Sequence, residues 1–147
     1  MMLRDRLVDE MKTAMKARDD IRVSAIRMVR SAVKNREIEL GKDLDDREVT
    51  EVIASLVKQR RESIRLFQEA GRNDLVTKEE RELAILLDFL PEQLDPVEIA
   101  GIVEKAIAAS GAQGLRDMGK VMKIVMPQVS GRADGNVVGE IVRGKLS

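Results

Sequence analysis

Residues 114–120 read GLRDMGK and have the spacing of a phosphate-binding loop, in which two glycines five residues apart precede a lysine. A working loop of this kind follows a β-strand and carries a Ser or Thr after the lysine to hold magnesium. Here the preceding residues have a helical pattern, and Val121 takes the hydroxyl position. We therefore predict that Lys120 is a surface charge, that Gly119 permits close helix packing, and that no nucleotide cofactor binds.

The last third of the chain carries an excess of positive charge that could bind an anionic partner. Residues 111–147 contain six basic and three acidic side chains, so their net charge is +3. Residues 71–110 contain four and nine, a net charge of −5. A basic segment within a neutral chain is typical of an anion-binding end. We expect a helical hairpin to bring residues 120–123 and 132 together. The candidate nucleic-acid contacts here are Lys120, Lys123, Arg132, Arg143 and Lys145.

Two more basic rows have the three-and-four spacing that places side chains on one face of a helix. The first, on the second predicted helix, consists of Arg27, Arg30 and Lys34. The second, on the third predicted helix, consists of the candidate contacts Lys58, Arg61 and Arg65. On neighbouring helices the two rows could form a groove for a polyanion. The alternative is a pair of solvated faces whose charge is balanced by Glu37, Glu62 and Glu69.

The composition argues against several kinds of chemistry. The chain has no Cys and no His, which removes thiolate nucleophiles, thiolate or imidazole zinc sites and imidazole acid–base catalysis. Among the carboxylates, Glu79 and Glu80 point to different sides of a helix. We expect no catalytic residue and no metal or other cofactor. With only Phe67 and Phe89 as aromatics, RNA binding would use backbone and shape rather than base stacking.

The elements that carry these residues all have helical periodicity. In the first, Leu3, Leu7, Met11 and Met15 recur every four residues as the inward stripe. Helix starts are predicted at Thr77 with Glu80 or a few residues earlier at Asp74, at Asp95 with Pro96 and Glu98, and at Asp117 and Asp134. Pro127 is expected to kink or end its helix. The sequence thus predicts an all-α fold, with an N-terminal domain of about four helices over 1–92 and a small three-helix domain over 93–147.

Targeting signals are weak along this sequence. The longest apolar run, residues 83–87, is too short to span a bilayer, and the N-terminus has no apolar region of a signal peptide. We therefore expect a cytoplasmic protein with no membrane contact.

Several strings of the sequence resemble the YqeY-type proteins, which are small bacterial proteins of about this length. These strings are RMVRSAVKN, LVKQRRESI, LLDFLPEQL and DMGKVMKIVMPQVSGRADGNVV. The last is also similar to the tail domain of the B subunit of the tRNA-dependent Asp/Glu amidotransferase. Its G-x-V-M…G-x-A pattern is matched here by Gly119, Val121, Met122, Gly131 and Ala133.

The resemblance implies an all-helical protein with a tRNA-contacting end. In the amidotransferase the tail contacts tRNA, while the chemistry lies in domains that this chain is too short to contain. A label of carbon–nitrogen ligase with glutamine as amide donor would therefore be inherited from the tail. The leading hypothesis is a non-catalytic accessory module in tRNA metabolism and translation. The alternatives are an adaptor that docks on an amidotransferase or aminoacyl-tRNA synthetase without contacting RNA, and an amide-transfer enzyme, which the missing Cys and His disfavour.

Overall fold

The computed structural model describes residues 2–147, and its regular structure is entirely helical. Seven α-helices and one short 3-10 helix form in these residues, without a β-strand. The predicted all-α fold class is confirmed. The helices are α1 Leu3–Lys16, α2 Asp20–Leu40, α3 Asp46–Glu69, α4 Asn73–Leu87, α5 Pro96–Ser110, α6 Met118–Val129 and α7 Gly135–Leu146, and the 3-10 helix Leu115–Asp117 precedes α6.

The chain divides into two compact units. The N-terminal unit, Met1–Pro91, contains α1 to α4, and the C-terminal unit, Glu92–Ser147, contains α5 to α7. That each unit is an independently folding domain stays a prediction. Within residues 2–147, none of the helices is both long and apolar enough to cross a bilayer.

The core of the N-terminal unit is aliphatic, with one aromatic ring from Phe89. Leu7 and Ala14 are the buried residues of α1, whereas Met15 is 51% exposed, so the prediction that Met15 points inward is wrong. The reason is angular, since each residue turns a helix by about 100°. Twelve residues of strict four-residue spacing therefore drift by about 120°, while the seven residues from Leu7 to Ala14 drift by only about 20°.

The connection from α2 to α3 is held by Glu37. Its carboxylate accepts a hydrogen bond from the Leu44 amide at 2.9 Å and is paired with Arg4 of α1. The Arg4 guanidinium, followed by the Leu44 amide, holds the pKa of Glu37 below its ordinary value. At the start of this connection Gly41 ends α2 with φ of 68°, a left-handed conformation that suits glycine. Three elements are thus fastened at one carboxylate.

The core of the C-terminal unit consists mainly of valines. Five of them are fully buried on α6 and α7, namely Val121, Val125, Val129, Val138 and Val142. The predicted start of α5 is confirmed, because Asp95 accepts the Glu98 amide at 2.7 Å with Pro96 at the first helical position. The predicted start of α7 is also confirmed, since Asp134 accepts the Asn136 amide at 2.9 Å.

At two predicted helix starts the expected side-chain cap is absent, although α6 does begin directly after Asp117 and α4 begins before Thr77, which was the open alternative. Helix α4 begins at Asn73, so Thr77 lies inside it and its hydroxyl donates to the Asn73 carbonyl at 3.0 Å. The Thr77 capping box is therefore wrong. Asp117 stands at the cap position of α6, but its carboxylate accepts the Gln113 amide instead, at 3.0 Å. Helix α6 also continues to Val129, two residues past Pro127.

Candidate nucleic-acid interface

Lys120 and Lys123 lie on the solvent side of α6. Val121 and Val125 of the same helix are fully buried, and the helical period puts the two lysines on the opposite face. The Lys120 side chain is 68% exposed, with its ammonium 3.7 Å from Asp117. Lys123 is exposed and forms no ion pair within residues 2–147. The prediction that Lys120 is a surface charge is confirmed.

Gly119, beside these lysines, does not serve helix packing. It is exposed, and a Cβ placed on it would meet nothing within 4 Å apart from its own helix and chain neighbours. The expectation that this glycine allows close packing is therefore wrong. Because glycine has no side chain, a partner could approach the backbone of α6 closely at this position.

The packing of α7 on α6 decides which basic residues share an end of the unit. The Met126 methyl lies 3.8 Å from the Cβ position of Gly135, and the Met118 methyl lies 3.8 Å from that of Gly139. The two helices therefore run antiparallel. Arg143 follows one turn after Gly139, so it lies at the end where α6 begins, the end that carries Lys120. We call Lys120, Lys123 and Arg143 the basic end.

Arg132 lies away from the basic end. Between Lys120 and Val129 there are about 14 Å of helix, and Arg132 follows beyond that helix. Its Nε donates to the Glu92 carbonyl at 3.2 Å, and its own carbonyl accepts the Leu94 amide at 2.8 Å. The structure thus separates it from residues 120–123, against the expectation, because the hairpin bends at the far end. Arg132 fastens the start of the unit to the α6–α7 turn.

Lys145 is the fifth predicted contact of this unit, and it is already paired. Its ammonium lies 2.8 Å from Glu104 of α5, and both side chains are exposed. Arg143, by contrast, is exposed and its guanidinium has no ion pair within residues 2–147. The unit as a whole is neutral, since 92–147 contains seven basic and seven acidic residues. Any excess of positive charge in this unit is therefore local, as it is at the basic end.

The Asp117 carboxylate reduces the positive charge of the basic end. The Gln113 amide, helped by the nearby Lys120 and Arg116, holds the pKa of Asp117 below its ordinary value. At neutral pH this carboxylate is ionised and partly neutralises Lys120. Lys123 and Arg143 are therefore the less compensated charges of the basic end.

The row on α3 is partly compensated, as the solvated-face alternative predicts. Arg65 is paired with Glu62 and lies 3.0 Å from Glu69. The Glu62 carboxylate raises the pKa of Arg65, and the Arg65 guanidinium lowers that of Glu62. Lys58 is exposed without an ion pair in the described chain, and Arg61 is half-buried. Within this row, Lys58 is therefore the side chain that is both exposed and without an ion pair in the described chain.

The row on α2 has a different setting. Arg27, Arg30 and Lys34 line a groove of about 550 Å³ whose other wall is α1, with Arg4 and Val8. The α3 row does not line this groove, so the expected joint groove of the two rows is not formed there. Periodicity placed the three cations on one face, but only the packing of α1 showed what that face borders.

Two compact helical units, with exposed cations on α2 and at the basic end, define this chain as a small all-α protein with local cationic surfaces. The family model described as Yqey-like protein matches residues 4–146, nearly the whole chain. The chain therefore belongs to the YqeY-like family.

Relatives that match this chain include yeast proteins named "Altered inheritance of mitochondria protein 41, mitochondrial". The protein of Lachancea thermotolerans is 41% identical over 85 residues, which are 57% of this chain and 46% of that protein. The Kluyveromyces lactis protein is 43% identical over 84 residues, or 56% and 45%. The Saccharomyces cerevisiae protein is 38% identical over 87 residues, or 58% and 47%. The matched part of the chain spans about half the length of these relatives.

Proposed function

We propose that this chain is a non-catalytic RNA-binding accessory module in tRNA metabolism, and that its basic end contacts the phosphate backbone of folded tRNA. The observation that carries the proposal is that exposed Lys123 and Arg143, both without ion pairs in the described chain, lie at the same end of the packed α6–α7 hairpin. Uncompensated cations that bind phosphates gain free energy from releasing the counterions of a nucleic acid.

The neighbouring structure suits a backbone contact. Gly119 leaves space above the start of α6, so a phosphate could approach the helix closely. The chain's two aromatics, Phe67 and Phe89, lie in the other unit, so this end offers no ring on which a base could stack. Binding is therefore expected to follow RNA shape and charge rather than base identity.

The wider role stays part of the proposal. The module would deliver or hold tRNA for an amidotransferase or aminoacyl-tRNA synthetase, and a carbon–nitrogen ligase activity would belong to that partner. A cytoplasmic place and a bacterial source also remain proposals, since the yeast relatives carry the word mitochondrial in their names. The competing role is an adaptor that binds such an enzyme without RNA. Two results together would favour the adaptor. The complex with the enzyme would survive nuclease treatment, and it would form equally well with the charge-reversal variant Lys120→Glu/Lys123→Glu.

The test is the affinity for a labelled tRNA transcript, measured by fluorescence anisotropy over a series of salt concentrations. The double variant Lys120→Glu/Lys123→Glu should weaken binding by at least about tenfold, since two repulsions replace two attractions. The logarithmic salt slope should become shallower by about 2 units.

A matched control is Lys78→Glu/Arg81→Glu on α4. These residues have the same spacing, are exposed and are unpaired in the described chain. The control changes total charge equally, so it should retain most of the affinity. Wild-type binding without salt dependence, or an equal loss in both double variants, would rule out the basic end as the RNA contact.

A further inference from the structure

The groove between α1 and α2 combines an apolar floor with a cationic rim. Leu7, Val33 and Val49 form the buried floor, and half-buried Val8 stands at its α1 edge. The volume of about 550 Å³ is within the range of ordinary ligand sites. The groove lies wholly within the N-terminal unit and is separate from the basic end.

The charge of the groove is positive after its internal pairing is counted. Four cations and two carboxylates line it, which gives a net charge of +2. The Arg4 guanidinium is paired with Glu37, so this cation contributes little to a ligand. Arg27 and Lys34 are exposed and have no hydrogen bond or ion pair within residues 2–147. These two, with Arg30 between them, are the available charges.

The spacing of these charges selects an elongated ligand. Arg27 and Lys34 are seven residues apart on one helix, which corresponds to about 10 Å along its axis. A small ion would meet one of them, whereas a linear polyanion parallel to α2 would meet all three. An acidic helix has the matching repeat, since carboxylates spaced three, four and seven residues apart rise by the same distances.

The apolar side chains of the groove favour an acidic helix over a nucleic acid as the linear polyanion. A nucleic-acid backbone is polar along its length and gains nothing from apolar side chains in the groove. An amphipathic helix would pack its apolar stripe on half-buried Val8 above the floor, whose side chains are at most 5% exposed, while its acidic flank meets the rim. Apolar floor and charged rim together give both affinity and orientation.

We propose that the α1–α2 groove is a docking site for an acidic amphipathic helix of a partner protein. The helix lies along α2, with carboxylates against Arg27, Arg30 and Lys34 and aliphatic side chains over Val8 and the floor. This site is independent of the RNA contact proposed for the basic end. The protein would then hold RNA with one unit and a protein partner with the other.

The test uses the full chain and a labelled designed peptide of about 18 residues, long enough to lie along the groove. The peptide carries a leucine stripe flanked by glutamates spaced three, four and seven residues apart. A scrambled peptide of the same composition and a single-stranded RNA oligonucleotide are the comparison probes. We expect the amphipathic peptide to bind at least about tenfold more tightly than the scrambled one, because only it satisfies floor and rim together.

Three variants test the residues. Arg27→Glu/Lys34→Glu should lower the affinity for the peptide at least about tenfold. The milder Arg27→Gln/Lys34→Gln should lower this affinity by a smaller factor. Val8→Asn, which makes the apolar α1 edge of the groove polar, should weaken peptide binding severalfold and leave RNA binding unchanged. Lys78→Glu/Arg81→Glu is the charge-matched control and should have affinity within about twofold of wild type. Circular dichroism of each variant confirms its helical fold.

The outcomes separate the possible occupants. Equal binding of ordered and scrambled peptides, no peptide binding, or insensitivity to the rim variants overturns the proposal. RNA binding that falls with the rim variants but ignores Val8→Asn would assign the groove to nucleic acid instead. If Lys120→Glu/Lys123→Glu loses RNA binding but still binds the peptide, the result supports a peptide site in the groove that is separate from the RNA contact at the basic end.

Discussion

The guanidinium of Arg60 on α3 lies 3.2 Å from the carboxylate of Glu82 on α4. The same Arg60 Nε is 3.4 Å from Glu79, and all three side chains are less than one-fifth exposed. Neither this Nε nor Glu79 Oε2 has a hydrogen bond within residues 2–147. Arg60 thus lies within ion-pair distance of two carboxylates, and the pairing joins the two helices that pack most extensively in this unit.

Replacing Arg60 by Met should destabilise the N-terminal unit by about 2 kcal/mol. The change keeps much of the apolar stem but leaves Glu79 and Glu82 close together in a poorly solvated place. Urea unfolding at neutral pH measures the loss as a shift in midpoint.

The triple variant Arg60→Met/Glu79→Gln/Glu82→Gln should recover much of that loss, because no charge is then left uncompensated. The control is Arg36→Met, which removes an exposed pair with Glu39 and should cost below about 0.5 kcal/mol. If the triple variant is as unstable as the single one, packing rather than charge accounts for the effect.

Glu37 should make the free energy of unfolding depend on pH in the acidic range. Its folded pKa lies below the ordinary value of 4.5, with the Arg4 hydrogen bond as the largest cause. The pair therefore stabilises the fold fully above that value, and the contribution is lost as the pH falls through the folded pKa. Glu37→Gln should be less stable than wild type at about pH 7, and the difference should shrink towards about pH 2.

Thermal unfolding across that pH range measures the difference for Glu37→Gln. Glu51→Gln is the control, since Glu51 is an exposed residue 4.0 Å from Arg47 and should show little pH-dependent difference. A gap between Glu37→Gln and wild type that stays constant down to the lowest pH would contradict the assignment.

Alanine substitutions at two helical glycines should have different effects on RNA binding. Gly101 and Gly119 have open space where a Cβ would stand, so alanine at either position should raise stability by about 0.5–1 kcal/mol. If tRNA approaches the start of α6, Gly119→Ala should weaken tRNA binding while Gly101→Ala leaves it unchanged. Chemical denaturation and anisotropy on the same samples provide both values, and equal RNA affinities would place the contact elsewhere.

The C-terminal unit should fold by itself. Residues 92–147 have their own valine core and their own caps at Asp95 and Asp134. A peptide of these residues should be helical and melt cooperatively, though with the modest stability typical of about 60 residues. Val125→Ala, which opens a cavity at a fully buried position, should lower its melting temperature clearly. A broad transition that is indifferent to this change would show that the unit needs the rest of the chain.

The local rules of helix formation predicted much of this fold. The three-and-four spacing of aliphatic residues and the capping signals at Asp95 and Asp134 act over a few residues, so they are readable without knowing any neighbour. Thr77 shows the limit of such signals. Its capping spacing was present, but the helix started a turn earlier at Asn73, so the Thr hydroxyl bonded within the helix instead.

Local periodicity was sufficient to predict an all-helical chain with cations in rows, because it sets which side chains share a helix face. The groups that those faces meet became visible in the packing of the helices. The tertiary structure paired Arg65 with Glu62 and Lys145 with Glu104, placed Arg132 at the far end of α6, and set the Arg27 row over an apolar groove. The physical reason is that compensation of a charge depends on groups brought near by helix packing, and sequence spacing carries no record of them.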